Sequence, residues 1–564
     1  MESKADLVFV NGRVLTVDRD FTIASALAVS GEQIVAVGDE RIAEHFIGPG
    51  TRVVDLAGGT LLPGINDSHC HALSFGLNRP PFNLDVGFPA VSSIADVVAM
   101  VADAVATRRP GEWIVGSGWD TGYLQECIDD PPRLPTRQDL DAVSPNNPVY
   151  LGDFSYHAAW CNSRALEAAG ITSETVEPDG STIVRDGDGE PTGFLTEGAR
   201  YAVRELLPLP THEQRKQAVR TAMHTMNALG ITSYTEAGIG PGDAGGGMAE
   251  GGLQVYKELL DAAELSVRVT VLLLVVKMSE PFTAFRQALD TIEVPGYSDP
   301  QRCRVVGVKV LADGVPPSRT AWLHDEYVGG GFGALTVAGD SDEERVEQLR
   351  SMIAYAHAAG YQLGVHVTGD RGIDAVVQAF ADAVRAHPRD DSRHYVIHGD
   401  LMTRESLATC AEFGFGVNMN PTIKWTIADL EEEFIGVERA AYEFPYRSAI
   451  DAGITVGSGS DTPVTFPDWR QGVSTMILRE SKASGRVSGP EQRITFEEAI
   501  RTYTINAAWQ DFADDWKGSL EVGKIADLCV VGDDLLDMDP HDLPHVPVTM
   551  TVLGGRIIHE APAL

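Results

Sequence analysis

Eight short apolar runs, most of them separated by helix-patterned stretches, constrain this chain more than any other feature. They are Leu61–Asp67, Ile231–Glu236, Val267–Val275, Arg304–Leu311, Gln362–Val367, His394–His398, Phe415–Met419 and Ile454–Gly459. Their near-continuous apolarity suits strands buried on both faces. Helical periodicity fills Thr211–Leu229, Asp342–Ala359, Ile373–Ala386 and Thr403–Phe413. Strand and helix in eightfold alternation predict an α/β fold, a distorted (β/α)8 TIM barrel, whose active site lies at the C-terminal ends of its strands.

One spacing breaks the pattern. About 160 residues separate the first run from the second, far more than a loop needs. This stretch holds a helical pattern (Ile94–Thr107), two strand-like runs (Trp113–Gly116, Pro148–Gly152) and a second helical pattern (Ser163–Ala169). It is read as an insertion after barrel strand one, about residues 77–225, sitting over the barrel mouth. Both chain ends are rich in short β-runs. Leu7–Val10 and Arg13–Val17 flank Asn11-Gly12, which predicts a hairpin. Val546–Leu553 and Arg556–Ile558 flank Gly554-Gly555 in the same way. Short strands need partners, so residues 1–60 and 515–564 are expected to form one small β-sandwich, with the barrel, 61–514, between them.

Composition narrows the function. A net charge of −37 opposes binding to nucleic acid or an anionic membrane surface. The most apolar run, Val267–Val276, is too short to span a bilayer. The six cysteines are scattered, without a C-x-x-C pair, which points to a reduced, cytoplasmic protein. The N-terminus lacks the basic and apolar regions of a signal peptide. The expected partner is a small-molecule substrate.

The runs end in residues able to bind metal. After the first come His69 and His71, which share one side of an extended chain and suit one transition metal. Cys70 points the opposite way. The fourth run buries Lys309, which either snorkels out, pairs with Asp313, or gives up its charge and captures carbon dioxide as a carbamate, an anionic oxygen ligand. The fifth and sixth bring His366 and His398, and the eighth ends in Asp461, placed to bind metal and move a proton.

These pieces resemble the amidohydrolase superfamily, in particular its YtcJ-like branch, which includes N-substituted formamide deformylase. The likeness runs through Pro63-Gly64-Ile65-Asn66-Asp67-Ser68-His69-Cys70-His71, Lys309-Val310-Leu311-Ala312-Asp313-Gly314, His366-Val367-Thr368-Gly369-Asp370-Arg371, His398-Gly399-Asp400 and Gly459-Ser460-Asp461-Thr462-Pro463. It extends to the tail from Gly518 to Leu528, and to His157–Leu166 and Gly193–Glu197 in the insertion. The resemblance implies one or two zinc ions: His69, His71 and Asp461 on one, His366 and His398 on the other, and Lys309, as N6-carboxylysine, on both. It also implies a homodimer. Two departures stand out. Ile65-Asn66 replaces the usual Phe before Asp67, and Asn420 precedes Pro421 where the family often has Gln; the second change is expected in the pocket lining.

The expected reaction is hydrolysis of an amide-type C–N bond, with an N-substituted formamide or aryl amide as candidate substrate. Asp461 carries the proton, His157 is the candidate oxyanion or substrate donor, and Trp119, Glu197 and Trp425 are candidate pocket residues. Ester or lactone hydrolysis and heterocycle deamination use the same kind of site and stay open, as do a single-metal site with a free Lys309 amine and a non-catalytic binding barrel.

Overall fold

The first apolar run is divided between two sheets. In the computed structural model, which describes residues 4–87, 90–153, 158–177, 181–242 and 251–562, Thr60–Pro63 pairs with Leu528–Val531 in one sheet and Ile65–Cys70 begins another. Gly64 makes the break, because a Cβ there would fall 2.1 Å from Thr232 Oγ1.

The second sheet is parallel and eight-stranded, with chain order and spatial order the same. Its strands are β1 (Ile65–Cys70), β2 (Ile231–Ile239), β3 (Arg268–Leu273), β4 (Cys303–Leu311), β5 (Gln362–Val367), β6 (Tyr395–His398), β7 (Gly416–Met419) and β8 (Val456–Ser458). Each overlaps one of the apolar runs, and the predicted barrel is found. Helices His212–Ala228, Asp342–Ala358, Asp370–Ala386 and Arg404–Phe413 lie in the expected crossovers. Ser341 and Thr403 start two of them by accepting the amide N–H groups of Glu344 and Ser406 at 3.2 and 3.0 Å.

The seam between β1 and β8 is closed at and beyond the end of β8. Asp461 N donates to the His69 carbonyl and His71 N to the Thr462 carbonyl, each at 2.8 Å. Asp67 receives the amide and hydroxyl of Ser460 at 2.9 and 2.6 Å. Gly459 permits this approach, since a Cβ there would lie 2.6 Å from His69 N.

The barrel floor is polar. Asp511, on the segment after helix Ile505–Gln510, accepts from Asn66 Nδ2 at 2.7 Å, Thr235 Oγ1 at 3.0 Å and Lys517 Nζ at 2.6 Å. Gln510 Nε2 donates to the Ser68 carbonyl at 2.7 Å. A segment from beyond the last strand thus supplies the hydrogen bonds that these inward-facing groups need.

Two further sheets flank the barrel's first and last residues in sequence. One, of four strands, contains Leu7–Val10; the other, of six, contains Arg13–Leu15, Thr60–Pro63, Leu528–Val531, Val548–Leu553 and Arg556–Glu560. Asn11-Gly12 therefore does not make the predicted hairpin. It carries the chain from one sheet to the other, because Phe9 and Val14 both pack into the core between them. Val548–Leu553 and Arg556–Glu560 do form the second hairpin. Arg268, the first residue of β3, grips Asp527 through Nε at 2.6 Å and Nη2 at 3.0 Å, both groups buried.

Residues 74–221 form a compact unit of their own. Its six-stranded mixed sheet includes Ile114–Trp119 and Val149–Asp153, and helix Ile94–Ala106 packs Val97 and Val101 into a core with Leu151 and Trp160. Among the described residues no helix is long and apolar enough to cross a membrane.

A buried histidine pair makes the barrel sensitive to acid. Leu363 N–H donates to His394 Nδ1 at 3.0 Å, so His394 carries its proton on Nε2 and donates to His357 Nδ1 at 2.8 Å. His357 Nε2–H then donates to the His387 carbonyl at 2.7 Å. Burial lowers both pKa values, that of His394 to well below the ordinary value, with His357 adding to the effect. The unfolded chain protonates near pH 6.5 while the native pair stays neutral, so stability falls as pH drops below about 6.5. We expect a loss of about 1–2 kcal/mol between pH 6.5 and 5.5, read from urea midpoints. His394→Gln, which keeps an acceptor for Leu363 but gains no proton, should flatten that slope; an unchanged slope would remove the pair from the account.

Candidate metal centre

His69 lies in β1, and the loops after β1 and β8 bring His71 and Asp461 beside it. His69 Nε2 is 3.1 Å and His71 Nε2 3.4 Å from the same oxygen, Asp461 Oδ1. His398, at the end of β6, has its ring centroid 5.2 Å from that of His69, and His366, in β5, has its own 4.5 Å from that of His398. Lys309, near the end of β4, is buried beside them, and Asp461 is the acidic group that acts on it. The structure thus brings together all six residues singled out in the sequence. Among the described residues, His69, His398 and Asp461 are tightest, with donor atoms all within 4.8 Å of one another.

These contacts suit a cation between the side chains better than hydrogen bonds among them. Both ring nitrogens of His69 and the Nδ1 of His71 are buried without a hydrogen-bond partner. Burial and the nearby Lys309 lower the pKa of His69 to about 3 and of His366 to about 4, leaving neutral rings with lone pairs to donate. Burial alone would raise Asp461, but His69 and His71 hold its carboxyl well below the usual carboxylate range. The donor set, neutral imidazoles with a carboxylate, fits a zinc-like ion.

Neighbouring groups fix the rings. Asn420 Oδ1 accepts from His398 Nδ1 at 2.7 Å, and Asn420 Nδ2 donates to the Gly459 carbonyl at 2.9 Å. His398 therefore presents Nε2 to the centre. His366 Nε2 lies 3.2 Å from the Gly314 carbonyl, which accepts only a protonated nitrogen, so its free lone pair is on Nδ1. His398 and Asp461 both have left-handed backbones, with φ of 76° and 54°. Such residues persist where surrounding contacts over-determine them, often at functional sites.

Several expectations change here. The expectation places Asn420 in the pocket lining; it is fully buried and holds the His398 ring. Asp313 accepts the amides of Trp322, Thr368 and Gly369 at 2.9–3.0 Å, which ties the loop after β4 to the turn after β5. Trp119 is 1% exposed in the core of the 74–221 unit, its indole donating to the Leu151 carbonyl at 2.8 Å, so it packs and does not line a pocket. Glu197, in the same unit, is exposed at φ 46°. Trp425 lines a groove of about 310 Å³ with Gln471, Leu478, Glu480 and His541, none of them a ligand candidate. His157 lies outside the described residues.

A closed parallel barrel with histidines, a buried lysine and an aspartate at its C-terminal end defines the scaffold of a metal-dependent hydrolase. The chain belongs to the amidohydrolase family, whose profile matches residues 52–559. It is 28% identical over 559 residues to protein LONG AFTER FAR-RED 3 of Arabidopsis thaliana, covering 98% of this chain and 92% of that protein. It is also 28% identical over 574 residues to N-substituted formamide deformylase of Arthrobacter pascens, covering 99% of each. Among solved structures, an uncharacterized metal-dependent hydrolase from Pyrococcus furiosus shares the fold, with a TM-score of 0.70 at 24% identity, over 95% of this chain and 99% of that one.

Replacing Gly459 by Ala tests the seam. The added Cβ would sit 2.6–2.8 Å from His69 N, O and Cβ, and His69 cannot retreat without disturbing its contact with Asp461. We expect at least tenfold weaker binding of an added divalent metal by chelator competition and a stability loss of about 1–3 kcal/mol. Binding within twofold of the parent would show that the approach at the seam is not needed.

Proposed function

We propose that the protein hydrolyses an amide-type C–N bond of a small organic substrate with one or two zinc ions. The observation that carries this reading is the convergence of six ligand-type side chains, two of them histidines with unpartnered buried nitrogens. By this reading His69, His71 and Asp461 hold one ion, and His366 and His398 the other. Burial lowers the Lys309 pKa to about 7, so part of its amine is neutral near neutral pH. That amine would add to carbon dioxide and release a proton to solvent, giving an N6-carboxylysine whose anionic oxygens would serve as further metal ligands. A bound divalent ion supplies Lewis acidity, which polarises a carbonyl and makes water acidic near neutral pH.

The chain's own groups do the rest. Asp461 takes the proton of the attacking water on Oδ2 and delivers it to the leaving nitrogen, so that the amine departs neutral. His157 is proposed as the donor to the substrate oxygen. The likeness to a formamide deformylase along the full length favours an N-substituted formamide or a related aryl amide. Six unpaired cysteines fit a reducing, cytoplasmic setting.

Asp461→Asn removes the proton acceptor and keeps the shape. In zinc-loaded protein screened against N-formyl amines, aryl amides, carbamates and lactones, we expect turnover to fall by at least 10³-fold, since general-base loss alone accounts for about 10²–10⁴. Folding and most of the metal content should survive. Near-parental turnover would rule out the proton role, and turnover of lactones alone would overturn the C–N assignment.

A further inference from the structure

Glu236 was noticed in the sequence only as the end of a strand. It is fully buried, and it belongs to neither the ligand set nor the barrel interior. Side chains of β2 alternate between faces. Ser233 and Thr235 turn inward, to Lys517 and Asp511. Tyr234 and Glu236 turn outward, to Tyr256 on helix Gly251–Asp261. Glu236 is thus behind the barrel wall, where it pairs in register with Cys70, the residue before His71.

One of its oxygens is fully engaged. Oε2 accepts the Tyr256 hydroxyl at 2.6 Å and the amide of Leu73 at 3.1 Å, which fixes the carboxylate against the turn that follows His71. The other oxygen, Oε1, is buried without a hydrogen-bond partner. So is Nδ1 of His71, while Nε2 of that ring faces Asp461. Burial raises the Glu236 pKa, and His71 is the strongest influence opposing it. An unpaired buried acceptor and an unpaired buried ring nitrogen therefore occupy the same small region.

We propose that Glu236 is the positioning residue of His71: its anchored carboxylate attracts the Nδ1–H side of the ring electrostatically and so turns Nε2 toward the metal ion. This rests on His71 being a ligand. It gives His71 the kind of support that Asn420 gives His398, but through charge, which also makes the ring a stronger donor. The carboxylate is held by two other donors and so stays in place when the ring is empty. It does not touch substrate, because it lies on the outer face of the strand.

The test measures zinc affinity by chelator competition in the full-length protein, with cobalt substitution as a spectroscopic reading of the ligand field. Glu236→Gln keeps an acceptor for Tyr256 and Leu73 but removes the charge. It should weaken zinc binding 10- to 100-fold and alter the visible cobalt spectrum, while circular dichroism stays that of the parent. Tyr256→Phe, a milder change that keeps the carboxylate, should weaken binding two- to fivefold, and it decides the matter if Glu236→Gln does not fold. His71→Ala serves as the reference. If His71→Ala weakens binding while Glu236→Gln and Tyr256→Phe leave both affinity and cobalt spectrum unchanged, the positioning role is wrong and the metal assignment stands. If His71→Ala itself leaves binding unchanged, the metal assignment is wrong and the positioning role falls with it.

Discussion

The approach of β1 to β8 is the constraint on which the centre depends. No strand ladder joins these two, so closure falls to a few hydrogen bonds at and just past the end of β8: Ser68 to the Ser458 carbonyl, Asp461 to the His69 carbonyl, His71 to Thr462, and Ser460 to Asp67. The residues that close the sheet are the proposed ligands themselves or their immediate neighbours. Structure and chemistry are therefore joined at one place. Burial raises the Asp67 pKa to about 6, and the Ser460 bonds oppose that rise, a balance that exists only while the seam is shut.

The interior beneath the centre differs from the branched aliphatic layers typical of such barrels. Asn66, Ser68, Thr235 and Asn418 point inward with polar ends that must be matched. Asn418 Nδ2 donates to Ser68 Oγ at 2.6 Å, and Gln510, Asp511 and Lys517 reach in from below to complete the network. A matched polar interior is directional, so it fixes the rotation of each strand more tightly than an oily one. That rotation is what aims His69, Lys309 and His366 at one point.

Much of this was legible in the sequence, and the failures have physical reasons. The eight strands were visible because buried parallel strands are apolar throughout, and the candidate metal residues because each is a polar residue within or just past such a run. Asn420 and Glu236 were not assigned their roles, since nothing local separates a polar residue that serves a ligand from one that serves a cap. Trp119 misled because a large aromatic near an inserted segment reads equally well as lining or core, and only the Leu151 carbonyl decides. Asn11-Gly12 has the composition of a hairpin, but hairpin pairing lost to the burial of Phe9 and Val14 between two sheets.

Ser68 and the Ser458 carbonyl that it meets across the seam are 390 residues apart in the chain, and the floor beneath them is contributed later still. During synthesis, then, the candidate metal centre cannot assemble until nearly all of the polypeptide has left the ribosome, whereas the unit spanning 74–221 has its own core and is free to settle early. Until the last strand arrives, seven strands of an unfinished cylinder expose bare edges, open to pairing with another chain.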